Sequence, residues 1–202
     1  MTNTNVTRGN GILETFLSKQ RSLMANKLIS EKQREGRILD IGSGSYPLNL
    51  INTTFNDKYA IDKFLNEDHK KIDECKDINF FNFDLEKETI LPFNDNYFDV
   101  VTMLAVFEHI EKDKLIPMIV EIKRVLKDDG IYILTVPAYW TDKLLVILAK
   151  IGLVSKEEVE EHKDSYTHKK IFYYLNKSGF SNKNIKAGYF ELFMNLWVVA
   201  KK

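Results

Sequence analysis

One cysteine, four prolines and nine glycines are spread over 202 residues, and each scarcity removes a class of protein. A lone Cys75 closes no internal disulfide, which argues against a stapled secreted scaffold and fits a reducing, cytoplasmic setting. So little glycine and proline excludes collagen-like and low-complexity architectures. No run of about 18 apolar residues occurs, so no membrane span is expected, and the opening MTNTNVTRGNG lacks the apolar core of a signal peptide. An excess of one charge is missing too. The 29 basic and 29 acidic residues cancel, leaving no basic surplus to gather on nucleic-acid phosphates, so no nucleic-acid partner is expected and a small or neutral substrate is the better default. The histidines His69, His109, His162 and His168 have no HxxxH or HxH spacing, and Cys75 has no CxxC partner, so no metal site is expected.

What remains is a chain with 44% hydrophobic and 29% charged residues, the composition of a globular domain of ordinary size. Residues 1–10 are polar and aperiodic and read as a flexible arm, with a single domain over 11–202. Apolar positions from Ile12 to Ile29 follow helical spacing, as one amphipathic helix or two short ones. From Arg37 short apolar runs alternate with helical stretches, the signature of a mostly parallel sheet covered on both faces. Strands are expected near 37–41, 58–62, 79–83, 98–104, 130–136, 180–187 and 193–200. A helix is expected from Lys112 to Lys127, where Leu115, Ile119, Ile122 and Leu126 form one stripe and Asp129-Gly130 supplies a stop; Pro117 is tolerable only near its start. Another helix is expected near 168–178. The last two strands leave no room for a helix between them, so an antiparallel hairpin turning around Ala187 to Glu191 is predicted. Between them, 138–166 interrupts the alternation with an apolar and then a charged stretch, a lid-like insertion or ordinary core.

The first strand, RILDI, runs directly into Gly42-Ser43-Gly44. Glycines at a strand-to-helix turn let backbone approach a ligand without a Cβ in the way and point free N–H groups at it; a tight turn without ligand is the plain alternative. Asp62 then ends the second strand, 20 residues beyond Gly42, where a carboxylate can accept two ribose hydroxyls, although an Asp in this place also serves as a turn former. Asp84 ends the third strand, with Leu85 after it. Three neighbouring strand tips thus supply glycine, acid and acid.

Four ordered segments, ILDIGSG, LPFNDNYFDVVTMLAVFEHI, IKRVLKDDGIYILTVP and the terminal Gly-Phe followed by a hairpin, resemble the class I S-adenosylmethionine-dependent methyltransferases. The resemblance implies a three-layer αβα Rossmann-like sheet of about seven strands, mostly parallel with an antiparallel C-terminal hairpin, and S-adenosylmethionine as cofactor. It further implies that Asp40, Gly42, Ser43 and Gly44 line the methionine moiety, that Asp62 holds the ribose, that Asp84 and Leu85 flank the adenine, and that Leu104 and Ala105 form the cleft wall. Two positions depart from the family pattern. Tyr46 stands where a further glycine is usual, and Asp128-Asp129-Gly130 replaces Pro-Gly-Gly.

Methyl transfer needs alignment and desolvation more than covalent help, with a base only where a proton must leave. Glu108 and His109, just beyond the fourth strand, and His162, Tyr166 and His168 are the residue types within reach. His109 and His162 are the catalytic candidates, set against a local cap and a solvated helix face respectively. Tyr46, Tyr139, Trp140 and Tyr166 are candidates for contact with the acceptor. A nicotinamide-dependent oxidoreductase is disfavoured because its loop needs a third glycine where Pro47 stands, and a base-flipping enzyme because MLAVFEHI replaces an Asn-Pro-Pro-Tyr type motif. A small-molecule or glycan-type acceptor methylated at O or N is expected, against a non-catalytic cofactor-binding domain. Monomer and homodimer both remain open.

Overall fold

A computed structural model describes residues 14–63, 73–141 and 165–202. The expected arm at 1–10, most of the lid-like insertion and His162 lie outside these residues. In chain order the elements are α1 (Glu14–Leu28), α2 (Glu31–Arg34), β1 (Arg37–Ile41), α3 (Leu48–Ile51), β2 (Asp57–Asp62), β3 (Ile78–Asn82), β4 (Phe98–Leu104), α4 (Lys112–Val125), β5 (Leu126–Pro137), α5 (His168–Lys177), β6 (Ile185–Phe190) and β7 (Asn195–Lys201).

The seven strands form one sheet in the order β3-β2-β1-β4-β5-β7-β6. The first five pair in parallel, and β7 runs antiparallel to both β5 and β6. This is the mostly parallel αβα sheet that the alternation of runs predicts, with the antiparallel C-terminal hairpin also expected. β1 and β4 are central and read as continuous apolar runs, RILDI and FDVVTML, because helices cover both faces. On one face α4 and α5 pack over Leu39, Val101, Tyr132 and Leu134; on the other α1 and α3 cover Ile38, Val100 and Ile133. Chain order reverses beside β1, between β1 and β4, and a cleft at such a switch point is where open sheets bind ligands.

The differences from the expected elements have local causes. α4 stops at Val125 rather than Lys127 because Leu126 adopts extended backbone (ψ 138°) and enters β5. Pro117 is the sixth residue of α4, in its second turn, and the helix continues around it. Lys127 to Gly130 bulge out between the pairs Phe98–Leu126 and Val100–Ile131, with Asp129 at φ +68°, so Asp129-Gly130 shapes this excursion and does not end the helix. β6 starts at Ile185, not 180, since Ser181 caps a tight turn at Asn182–Asn184. The hairpin consequently turns at Glu191 to Met194, beyond the expected Ala187 to Glu191, after the pair Phe190–Asn195. Among the described residues no helix is long and apolar enough to cross a membrane.

Candidate functional site

β1 delivers Asp40 and then the glycine loop to the C-terminal edge of the sheet. Gly42 and Gly44 have φ +73° and +72°, a left-handed conformation that L-residues resist. A Cβ on Gly42 would lie 2.4 Å from Val106 Cγ2, so the loop is pressed against the segment that follows β4. Ala105, also at the tip of β4, is left-handed at φ +55°, and its N–H donates to Thr135 O at 3.0 Å.

The loop's N–H groups are not pointed at a ligand, contrary to expectation. Gly42 N and Ser43 N donate to Ile61 O at 2.9 and 3.4 Å, and Gly44 N donates to Asp62 Oδ2 at 3.0 Å. Three successive donors are thereby tied to the tip of β2. α3 beyond the loop is one turn long and has Pro47 before it. A dinucleotide phosphate site needs open N–H groups at a helix start, and this loop supplies none from residues 42–44. It offers close approach of backbone instead. Ser43 Oγ is buried and has no hydrogen-bond partner among the described residues.

Asp40 and Asp62 are 4% and 5% exposed. Thr102 Oγ1 donates to Asp40 Oδ1 at 2.5 Å, and Asn49 Nδ2 donates to Thr102 Oγ1 at 3.1 Å. Burial pushes the Asp40 carboxyl up to about 7, against the lowering pull of Thr102 and Asn49 and with the Asp62 charge adding to the rise. Asp84 sits in the opposite electrostatic setting. The Glu86 N–H donates to its Oδ1 at 3.0 Å and Lys87 pairs with its Oδ2 at 3.0 Å. Together these hold its carboxyl below the usual range.

Gly42, Asp62, Asp84 and Leu85 line one cleft with Val106, His109 and Ile110, completed by Lys63, Phe83 and Glu86. It is open to solvent, and the space between its walls, open solvent included, is about 430 Å³. The cleft is apolar on the Phe83, Leu85, Val106 and Ile110 side and acidic at the strand tips. Lys63 Nζ and Glu86 Oε2 approach to 3.8 Å across its edge. The connection from Asp84 to β4 is pinned from below by Arg124, which donates to Leu91 O at 3.1 Å and Phe93 O at 2.8 Å and pairs with Glu121 and Asp95, both at 2.7 Å.

Other expected site residues fall elsewhere. Leu104 packs into the α1/α3 side of the core. Tyr46 is buried, its hydroxyl hydrogen-bonded to Glu74 with burial and that carboxylate holding the phenol up to about 12, so it is not among the cleft-lining residues. Tyr166 is buried edge-on against Phe107, ring centroids 5.0 Å apart, and bridges to Ala138. Tyr139 and Trp140 are exposed past the end of β5. His168 opens α5, its Nε2 3.0 Å from Gly188 O. The sequence reading missed Lys63, Phe83, Glu86, Val106 and Ile110 as lining residues. Each neighbours a residue it did find, which is the signal that was available. Among the described residues no group of three His, Cys, Asp or Glu is placed to hold a metal ion.

Residues 39–134 match the model of a family described as a methyltransferase domain. Over those residues the chain is similar to that family, and its fold is the Rossmann-like one of the class I methyltransferases. That family implies S-adenosylmethionine as cofactor. No curated protein matches the chain, whereas solved structures share the fold at low identity. A methyltransferase dependent on S-adenosylmethionine from Archaeoglobus fulgidus is 18% identical with a TM-score of 0.63, covering 94% of each chain. YcgJ from Bacillus subtilis is 13% identical with a TM-score of 0.64, over 91% of this chain and 98% of its own. A chain from the Trm112 methyltransferase activator complex of Haloferax volcanii is 16% identical with a TM-score of 0.67, over 90% and 88%. The glycine loop and acidic strand tips fit this cofactor chemically. Ser43 Oγ is an orphaned polar atom beside the loop, and the acids suit a cation and a ribose.

Proposed function

We propose that the chain is an S-adenosylmethionine-dependent methyltransferase that methylates O or N of a small-molecule or glycan-type acceptor. The observation carrying this reading is the convergence of Gly42, Asp62 and Asp84, from three strand tips, on a single cleft closed on its far side by Val106 and His109. In this reading Asp40, Gly42, Ser43 and Gly44 surround the methionine end, and Asp62 accepts from the ribose while its Oδ2 holds Gly44 N. Asp84 and Leu85 border the adenine, and Ala105 supports the wall. Asp62 therefore does two things with one carboxylate: it fixes the loop and fixes the sugar.

The cofactor supplies an already activated methyl group on a sulfonium, so the protein's work is alignment, exclusion of water and, for a hydroxyl acceptor, proton removal. Phe83, Leu85, Val106 and Ile110 keep the cleft apolar. His109 lines it and is the candidate base, with His162 the second candidate. Balanced charge favours a small acceptor over nucleic acid.

Titration calorimetry with S-adenosylmethionine and S-adenosylhomocysteine tests the cofactor half, and tight binding of NADH with neither of these would overturn it. For the acceptor half, methyl-tritiated S-adenosylmethionine incubated with cell extract should label the small-molecule or glycan fraction and leave protein and nucleic acid unlabelled. Cofactor binding without label transfer to any fraction would instead mark a non-catalytic binding domain.

A further inference from the structure

Thr102, on β4, joins the two sides of the glycine loop. Its hydroxyl donates to Asp40 Oδ1, before the loop, at 2.5 Å, and accepts from Asn49 Nδ2, on α3 beyond the loop, at 3.1 Å. All three residues are more than nine-tenths buried. A further acceptor is in reach, since Leu39 O lies 3.3 Å from the same hydroxyl oxygen. Parallel pairing accounts for the placement: across the β1–β4 ladder Asp40 stands opposite Thr102, with Leu39 opposite Val101. Neither Thr102 nor Asn49 lines the cleft.

A hydroxyl has one proton and two lone pairs, so Thr102 cannot serve both acceptors at once. With Asp40 ionised, the Thr102 proton goes to Oδ1, the shorter contact and the charged one. With Asp40 protonated, the carboxyl donates to Thr102 Oγ1, whose own proton turns to Leu39 O. Asn49 suits both states because its amide only donates here; its Oδ1 has no hydrogen-bond partner among the described residues. The trio thus accepts either charge on Asp40 without stranding a buried donor, and it holds the ionised form more firmly, because a charged acceptor makes the stronger bond. Burial raises the Asp40 carboxyl, and Thr102 and Asn49 lower it. Among the described residues the charge acting on Asp40 is that of Asp62, on β2, which adds to the rise. β4 and α3 bring the neutral Thr102 and Asn49. On α1, packed over the same face, Lys19 and Lys27 are exposed and Arg21 acts on Glu191.

We propose that Thr102 and Asn49 are positioning residues that set the pH at which Asp40 ionises, and that binding of S-adenosylmethionine to the protonated form releases one proton. In that step Asp40 gives its proton to solvent, and the Thr102 hydroxyl turns from Leu39 O to Oδ1. The carboxylate so formed faces the positive charge at the ligand's methionine end, which favours its ionised state. Both residues act through Asp40 and not on the ligand. The inference rests on the proposed cofactor site, in which Asp40 borders the methionine end.

The test is calorimetry of S-adenosylmethionine binding to the full chain at acid, neutral and alkaline pH, each in two buffers of unlike ionisation enthalpy, which counts the protons released. Relative to Asp40→Asn, the parent should release about one proton well below the Asp40 midpoint and none well above it; this reference cancels any proton carried by the ligand's own amino group. Thr102→Val keeps the outline of the side chain and removes the hydroxyl. Its midpoint should move up by about one pH unit, so that binding is about ten-fold weaker on the acid side and equal to the parent's on the alkaline side. Thr102→Ser should restore the parent profile, and Asn49→Ala should shift it the same way by less. A loss of equal size at every pH makes Thr102 a packing residue and overturns the proposal, as does a proton count that Asp40→Asn leaves unchanged. Should Thr102→Val fail to fold, Asn49→Ala decides by the same pH criterion. Absence of S-adenosylmethionine binding at every pH is a separate outcome: it removes the cofactor reading, and this inference with it.

Discussion

The glycine-loop end and the hairpin end of this sheet edge are built in opposite ways. At Gly42 to Gly44 every N–H is satisfied by β2, the two acids beside the loop are buried, and left-handed backbone falls on glycine. At Glu191 to Phe193 left-handed backbone falls on three residues that resist it, and the Leu192 and Phe193 side chains stand in solvent. The first arrangement fixes a shape with the backbone; the second displays side chains at the expense of the backbone. The contrast can be broken from either end.

The largest effect is expected at Gly42. Valine there meets Val106 Cγ2 at 2.4 Å from its Cβ and must hold φ +73°, so both terms act on a buried loop. Gly42→Val should lower stability by about 2–4 kcal/mol and abolish measurable cofactor binding, read by thermal unfolding and calorimetry. Trimming Val106 to Ala in the same chain should recover part of the stability, leaving the backbone term. Full recovery would mean that contact with Val106, and not the left-handed turn, requires the glycine.

Asp40 tests the same end through pH. Its folded-state carboxyl lies at about 7, above the ordinary 3.8, so between about pH 4 and 7 the folded chain binds more protons than the unfolded one. The contribution is present in full below pH 4 and is lost as pH rises through 7, with a slope of at most about 1.4 kcal/mol per pH unit. Denaturant unfolding from pH 4 to 8 should show this slope in the parent and lose it in Asp40→Asn. A bound cation beside Asp40 favours its ionised form, so cofactor affinity should rise as pH passes 7, and Asp40→Asn should flatten that profile too.

Asp62→Ala should weaken S-adenosylmethionine binding by about 1–3 kcal/mol, through charged hydrogen bonds to the ligand and the released Gly44 N–H. Asp62→Asn keeps an acceptor for that N–H. Calorimetry on the pair separates the two contributions, and an unchanged dissociation constant in Asp62→Ala would remove the ribose assignment.

The cleft was legible in the sequence because its residues coincide with local punctuation. Gly42, Asp62 and Asp84 each sit where an apolar run stops, so strand prediction places them together without any knowledge of side-chain packing. Val106, Lys63 and Ile110 were legible only as sequence neighbours of Ala105, Asp62 and His109, because they line the cleft through contacts made once β1, β2 and β4 align. Tyr46, a candidate for acceptor contact, is buried outside the cleft lining, and its spacing from Gly44 says nothing of Glu74, which holds its hydroxyl from the chain segment before β3. The loop donors were misread for a similar reason: parallel pairing of β1 with β2 continues past Ile41 and takes them up. The hairpin was predicted to exist but turned too early, since Glu-Leu-Phe carries no glycine or asparagine to announce three left-handed residues.

That last misreading yields the smallest prediction and the one that separates the two ends most directly. Leu192 is left-handed and its side chain is largely in solvent, so Leu192→Gly removes backbone strain while little packing is lost. Glycine also adds freedom to the unfolded chain, which offsets part of the gain. The net expectation is a rise in stability of about 0.5–1 kcal/mol, with the cofactor dissociation constant unchanged. Ala105→Gly makes the same exchange at the cleft, where the N–H of residue 105 is bonded to Thr135 O and Val106 follows against Gly42. There the added freedom loosens the wall that presses on the glycine loop, so a comparable gain in stability should come with weaker cofactor binding. If both variants leave the dissociation constant untouched, left-handed backbone at Ala105 serves packing alone, and the two ends differ in exposure but not in purpose.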